Sequence, residues 1–230
     1  MDTQGSTSEP CRLCDEPAES FPARPYLVDK KSRVYLQCPR CGLIQLSSHM
    51  LPDAITEQRR YLQHRNSAED PRYVEYQRKF ASRTVFRVLE PPAKILEIGS
   101  GPTPVLAELL RDAGYSVEIH DPYFFSHPRV FDDTFDGVVA VEVLEHVHYP
   151  GQFFDRLARM VIPGGYCCFQ TGIQRGTVEE FSGWWYRQDV THVCFFSERT
   201  ITYIANQWFL DRNPTVEGNT VIFRSRPVRS

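Results

Sequence analysis

The sequence predicts an α/β fold: a parallel sheet with helices on both faces. Three observations carry that expectation. From Lys94 onward, short apolar runs alternate with helical Leu/Ala/Val patterns. The first of those runs, KILEI, ends in a tight Gly99-Ser100-Gly101 turn that opens a helical stretch. Ahead of it, two C-x-x-C pairs occupy a strand-and-turn segment of their own.

In chain order, residues 1–10 are polar and read as a disordered tail. Residues 11–48 hold the cysteine pairs. Residues 49–92 read as a helical linker interrupted at Asp70-Pro71, with Tyr73, Tyr76, Phe80, Val85 and Phe86 at roughly helical spacing. Pro91-Pro92 stops it. Residues 93–230 form the α/β domain. A strand is expected at 94–98, a helix at 103–113 closed by Gly114, and a strand at 115–120. FDGVVAVEV, 135–143, reads as a strand buried on both faces, followed by a helix at 150–161. Pro163-Gly164-Gly165 turns into a strand at 166–171, and a helix follows at 197–207. Two last strands, around 208–212 and 219–225, are expected as an antiparallel hairpin at the sheet edge.

The composition is that of a globular protein. The net charge is −3, split unevenly: 15 basic and 12 acidic side chains up to Lys94, 11 and 17 after it. That asymmetry is too mild to establish a nucleic-acid surface. No apolar run reaches membrane length and the N-terminus has no signal character. The expected location is the cytoplasm, with the seven cysteines reduced.

A loop after the first strand of such a sheet lies at the carboxyl-end crevice where ligands bind. Gly99 and Gly101 allow a tight turn and close approach of a ligand. A dinucleotide fingerprint would need glycine at 104, where Pro104 stands. Glu97 would repel phosphates but suits a ligand with a cationic, methionine-like end. Asp121, ending the second strand, is placed to accept from ribose hydroxyls. Ribose without phosphate, joined to a cationic amino-acid tail, describes S-adenosylmethionine.

ILEIGSGP, IHDPY, FDGVVAVEVLEH and IPGGYCCFQT together resemble the successive strand-end motifs of class I S-adenosylmethionine-dependent methyltransferases. The resemblance covers 94 to about 225. It implies a Rossmann-like seven-stranded sheet in the order 3-2-1-4-5-7-6, with strand 7 antiparallel. It also implies a cofactor site. Glu97, Gly99, Ser100 and Gly101 would hold the methionine part, Asp121-Pro122 the ribose, and Glu142 and Val143 would line the pocket after strand 4. Two departures stand out. Thr103 replaces the usual third glycine, and only 13 residues separate Asp121 from Phe135. Strand 3 must then be shrunken, and Asp132 or Asp133 is left to meet the adenine.

Cys11, Cys14, Cys38 and Cys41 form two knuckles whose four thiolates match tetrahedral zinc. Four cysteine ligands leave no open position, so the site is expected to be structural, and the metal to supply most of the ribbon's folding energy. Cys167, Cys168 and Cys194 read as buried fillers. A ribbon, a helical linker and this domain together resemble zinc-binding sugar C-methyltransferases. Some ribosomal-RNA base methyltransferases also join a ribbon to the fold.

On the acceptor side, Tyr61, His64 and Asn66 mark the linker either as a lid or as a solvated helix face. Trp184, Trp185 and Tyr186 either line a flat or apolar acceptor or pack the base of a long loop. Asp189 and His192 are a polar pair amid aromatics, which costs desolvation unless they have partners. His192 is the expected general base, with His146 beside it. Glu142, Glu145, His146 and His192 also resemble the E-x-x-E-H and later His of small-RNA 2′-O-methyltransferases. That likeness implies Mg²⁺ or Mn²⁺. The other reading is a motif without metal, Glu145 turned away and His146 capping a helix. The function expected is methyl transfer to a small-molecule acceptor, a sugar or secondary metabolite. The rivals are an RNA methyltransferase gripping its substrate with the ribbon, and a non-catalytic zinc-dependent scaffold.

Overall fold

The computed structural model describes residues 8–20, 27–28, 31–63, 66–209 and 214–225. Its strands are β1 (Glu9–Pro10), β2 (Pro17–Ser20), β3 (Leu27–Val28), β4 (Lys31–Ser32), β5 (Tyr35–Gln37), β6 (Ile44–Leu46) and β7 (Lys94–Ile98). β8 (Ser116–His120), β9 (Phe135–Val141), β10 (Val161–Gln170), β11 (Ile173–Gln174), β12 (Cys194–Ser197), β13 (Thr215–Glu217) and β14 (Thr220–Arg224) follow. The helices are α1 (Ala54–Tyr61), α2 (Pro71–Arg83), α3 (Val85–Val88), α4 (Val105–Asp112), α5 (Pro150–Met160), α6 (Val178–Gly183) and α7 (Glu198–Trp208).

The helix starts are written in the sequence. The Asp53 and Asp70 carboxylates accept from backbone N–H groups in the first turns of α1 and α2, and Pro71 takes the first helical position. Thr177 with Glu180, and Ser197 with Thr200, close capping boxes on α6 and α7. α5 buries Phe154, Leu157 and Met160, and α7 buries Ile201, Ile204 and Ala205, the spacing of one apolar face.

The main sheet runs β13-β14-β10-β9-β7-β8, parallel from β10 to β8, with β14 antiparallel to both neighbours. α2, α3 and α4 pack on one face through Phe80, Val85, Leu106 and Leu110. α5 and α7 pack on the other through Phe154, Leu157, Ile201 and Ile204.

The seven-strand order is thus corrected to six strands among the described residues. Between Asp121 and Phe135 the chain makes a single Asp121–Phe125 bridge and a 3₁₀ turn, Pro128–Asp132, too little for a third strand and its helix. Two boundaries also move. β10 begins at Val161 and carries the Pro163-Gly164-Gly165 stretch as an irregularity, its register shifting between Val161 and Tyr166. Of the strand expected around 208–212, Trp208 belongs to α7 and residues 210–212 lie outside the described residues; the strand that pairs with β14 is Thr215–Glu217.

A second sheet runs β1-β2-β5-β6-β12-β11. β12, from the C-terminal half, pairs antiparallel with β6, Cys194 opposite Gln45 and Phe195 opposite Ile44. The cysteine-bearing segment and the end of the long loop therefore share one sheet. Tyr35, Phe181 and Phe195 pack edge-on across it, with ring centroids 5.1–5.8 Å apart.

Candidate active site

The carboxyl ends of β7, β8 and β9 open into a cavity of about 1360 Å³. Each residue expected to hold the cofactor lines it: Glu97, Gly99, Ser100, Gly101, Asp121, Pro122, Glu142 and Val143. So do His146, Trp185, Tyr186 and His192 from the acceptor side. His64 lies outside the described residues.

Register brings the cofactor residues together. Ile98 pairs with His120, so Gly99 and Asp121 leave the sheet side by side, and Gly99 N–H donates to His120 O at 2.8 Å. Gly99 has φ +72°, and a Cβ there would lie 2.5 Å from Val143 Cγ2. Gly101 has φ +66° with nothing within 4 Å of the missing Cβ, so that space belongs to the cavity. Asp121 accepts from Gly101 N–H through Oδ2 (2.9 Å), and from Tyr123 and Phe124 N–H through Oδ1 (2.9 and 3.1 Å). The carboxylate expected to meet a ribose thus also fixes the glycine loop.

Glu97 is buried, and its Oε2 has no hydrogen-bond partner among the described residues. Burial pushes its pKa up to about 7, against a bond from the Ala107 backbone and the charge of Arg111. Asp133 ion-pairs with Lys94 at the start of β7, the end away from the glycine loop, so the structure sets it far from an adenine at this mouth.

Glu142 follows β9 with φ +53°, a left-handed backbone of the kind that gathers at functional sites. Its carboxylate accepts from Tyr76 Oη (2.9 Å) and Tyr186 Oη (3.0 Å). Burial first, and then the neighbouring Glu145, raise its pKa to about 7. Glu145 is fully buried; Oε2 accepts from Thr171 Oγ1 at 2.8 Å, and Oε1 has no hydrogen-bond partner among the described residues. Burial raises its pKa as well.

His146 Nδ1 donates to Thr191 O at 3.0 Å and His192 Nδ1 to Tyr186 O at 2.6 Å, since a carbonyl can only accept. These bonds turn both Nε2 atoms toward Glu145 Oε1, at 3.9 and 4.0 Å. Of the four residues read as a divalent-metal set, Glu145, His146 and His192 present ligand atoms within 4.8 Å of one another. Glu142, beside Glu145, is not in that group and is engaged by the two tyrosines.

The aromatic run divides. Trp185 is 70% exposed at the cavity, Trp184 packs on Phe181, Tyr186 and Phe195, and Tyr186 is core, its hydroxyl accepting from Gly172 N–H at 2.9 Å. Asp189 accepts from Arg60 Nε and Nη2 (both 2.8 Å) and from Thr191. α1 covers the cavity and is fastened by Glu57, whose carboxylate takes both the Tyr123 hydroxyl and His148 Nε2 (2.9 Å). Glu57 and His148 were not singled out from the sequence, and Tyr76 was read there only as part of a helical spacing. Glu57 sits four residues before Tyr61 on α1, which sets both on one helix face and was the available signal.

The four cysteine sulfurs also lie within 4.8 Å of one another, Cys11–Cys41 at 3.5 Å and Cys14–Cys38 at 3.4 Å. Asp15 and Gly42, each just past a knuckle, take positive φ, so each pair turns back on itself and its sulfurs converge. Four thiol groups from two such turns fit tetrahedral zinc.

Comparison with curated proteins finds no match. Among solved structures, a Burkholderia thailandensis 1,6-didemethyltoxoflavin-N1-methyltransferase, with 1,6-didemethyltoxoflavin and S-adenosylhomocysteine bound, is 15% identical; the match covers 89% of this chain and 100% of that one, with TM-score 0.51. A Haemonchus contortus phosphoethanolamine N-methyltransferase 2 is 16% identical over 68% of this chain and 41% of that one, with TM-score 0.51. A Galdieria sulphuraria putative sarcosine dimethylglycine methyltransferase is 14% identical over 59% and 61%, with TM-score 0.45. The chain thus spans less than two thirds of two of these three proteins. The first two likenesses show the fold. Among the described residues no helix is long and apolar enough to cross a membrane. Residues 73–208 match the family described as methyltransferase domain. The chain belongs to that family and carries a methyltransferase domain.

Proposed function

We propose that this chain transfers a methyl group from S-adenosylmethionine to a small-molecule acceptor, with zinc held by Cys11, Cys14, Cys38 and Cys41 as a structural ion. The observation that carries the reading is Glu97. A buried carboxylate oxygen without a hydrogen-bond partner among the described residues belongs to a residue lining the same cavity as Gly101, whose missing Cβ leaves open space. A cationic amino-acid tail lying there gives that carboxylate its partner. Asp121, next to the same loop, accepts three backbone N–H groups and keeps about one of its four lone-pair sites, on Oδ2, for a ribose hydroxyl.

The cavity exceeds the roughly 300–1,000 Å³ of a typical small-molecule site, leaving room for a second molecule beside the cofactor. Trp185 offers a face at its rim. Bound S-adenosylmethionine supplies an activated methyl group, so the protein's task is to align the acceptor and take its proton. His192 is the base assigned to that step. Its Nδ1–H bond to Tyr186 O puts the basic lone pair on Nε2 when the ring is neutral. The acceptor class we favour is a sugar or secondary metabolite, and the location the cytoplasm, where seven thiols stay reduced. Calorimetry with S-adenosylmethionine tests the cofactor. Comparing the metabolites of a deletion strain with its parent tests the acceptor, which should accumulate without its methyl group. Failure to bind the cofactor would leave the scaffold reading. A salt-dependent shift with mixed RNA would favour the RNA reading.

One observation favours a second metal. Glu145 Oε1 faces two Nε2 atoms whose rings are fixed from behind by carbonyls, the outer-shell arrangement of metal-bound histidines. A divalent ion on Glu145, His146 and His192 would polarise an acceptor oxygen. Manganese binding followed by electron paramagnetic resonance should then disappear in His192→Ala while the zinc remains. Binding that survives this change would remove the ion from the scheme.

A further inference from the structure

Resting on the cysteine cluster as a zinc site and the cavity as the methyl-transfer site, we propose that Arg12 is a positioning residue for Glu145 and His192. Arg12 lies between Cys11 and Cys14, so the cluster sets its backbone. Its N–H donates to Gln45 Oε1 at 2.8 Å, and its carbonyl accepts from Gly151 N–H at 3.0 Å. Its guanidinium reaches into the shared sheet: Nη1 donates to Leu46 O at 2.7 Å and Nη2 to Val193 O at 3.1 Å.

Val193 is the residue after His192, and both its backbone groups are engaged. Its carbonyl takes Arg12 Nη2 and Leu46 N–H (2.9 Å), and its own N–H donates to Glu145 O at 2.8 Å. One hydrogen-bonded path therefore runs from the first cysteine pair through Arg12 and Val193 to Glu145, passing the peptide that carries His192. A second contact reaches the same machinery from behind. Gly151, five residues past His146, seats beneath the knuckle so closely that a Cβ there would lie 2.9 Å from Leu13 O. Cys194 Sγ, next along β12, donates to Val147 O at 3.3 Å. The knuckle thus touches both segments that bring the acceptor-side residues together, the one after Glu145 and the one after His192. Among the described residues none of the knuckle's hydrogen bonds above goes to Glu97, Gly99, Gly101 or Asp121.

A planar guanidinium fork spans two carbonyls at once, while an ammonium on a flexible stem is a point charge that does not reproduce it. Arg12 therefore acts on the acceptor half of the site through the backbone, and the cofactor half does not feel it.

The test uses the full chain, zinc-loaded, as wild type, Arg12→Lys and Arg12→Gln. Zinc content, S-adenosylmethionine affinity and the imidazole ¹⁵N–¹H resonances of His192, His146 and His120 are read for each. His120 lines the cofactor end of the cavity and serves as internal reference. The expected result is unchanged zinc and unchanged cofactor affinity, with the His192 and His146 resonances shifted or broadened and those of His120 in place. The effect should be larger in Arg12→Gln. Should Arg12→Gln fail to fold, Arg12→Lys decides, and Gly151→Ala, which pushes on the same seam without altering Arg12, should move the same two imidazoles. His192 resonances that superimpose on the wild type in the folded Arg12 variants would overturn the proposal. A wild type that binds no S-adenosylmethionine would instead remove the methyl-transfer reading, and the imidazole comparison would still decide the role of Arg12.

Discussion

Gly101 N–H and Asp121 Oδ2 meet at 2.9 Å, so the glycine loop and the turn after β8 are held by one bond between the two groups nearest the expected ribose. Asp121→Ala removes the acceptor for three backbone N–H groups as well as the ligand contact. S-adenosylmethionine affinity should fall by about 1.5–3 kcal/mol, the range for losing bonds to a charged group. Gly101→Val should abolish binding, because its branched side chain fills space that is open now. Calorimetry on the two variants, each first shown to be folded, checks both.

Gly99→Ala should destabilise the fold by roughly 1–3 kcal/mol, since the position is left-handed and the new methyl meets Val143. Adding Val143→Ala should return part of the loss by removing the clash, though not the backbone strain. Thermal melts of the two single variants and the double variant give the coupling. Equal destabilisation with and without Val143 would show that backbone strain alone sets the cost.

Glu97 supplies a pH dependence with a definite sign. Its pKa rises from the ordinary 4.5 to about 7 by burial. Below pH 4.5 it is protonated folded or unfolded and costs nothing. Between those values the unfolded chain releases a proton that the folded chain keeps. Stability of the ligand-free protein should therefore fall as pH rises from about 4.5 to 7, by on the order of 3 kcal/mol. Glu97→Gln should flatten that slope in denaturant titrations. In the wild type, affinity for the cationic cofactor should climb through pH 7; in Glu97→Gln it should be weak and level.

Protein purified without added metal should contain a single zinc ion, and Cys38→Ser should lose it. Because β6 pairs with β12, the damage should reach Cys194–Ser197 rather than stop at the N-terminal segment. Amide hydrogen exchange should show protection lost across β12 and kept in β7 and β9. Exchange confined to residues before Ser47 would show that the shared sheet does not transmit it.

The parts of this site written in local pattern were legible in the sequence. KILEI with its glycines, the acid at 121 and the apolar run 135–141 each encode a strand end by composition alone, and the cysteine spacing encodes a cluster. The fate of each tyrosine was not legible. Tyr73 and Tyr76 share a helical spacing with core residues, yet Tyr76 reaches Glu142, a contact only the packing of α2 creates. Trp184 and Trp185 are neighbours of identical chemistry, one packed and one exposed, because a 3₁₀ turn beginning at Trp185 redirects the chain. The missing third strand was foreshadowed by a short segment. The sharing of a sheet between β6 and β12 had no local signal, since pairing across such separation leaves no trace in either run.

That shared sheet also orders events during synthesis. The cysteine pairs and β6 are made before β12, the strand that covers the β6 edge. Their sheet stays open along the β6 edge until Cys194–Ser197 emerges. An exposed strand edge of that kind invites pairing with other nascent chains. Misassembly of this sheet would therefore begin in the interval between the completion of β6 and that of β12.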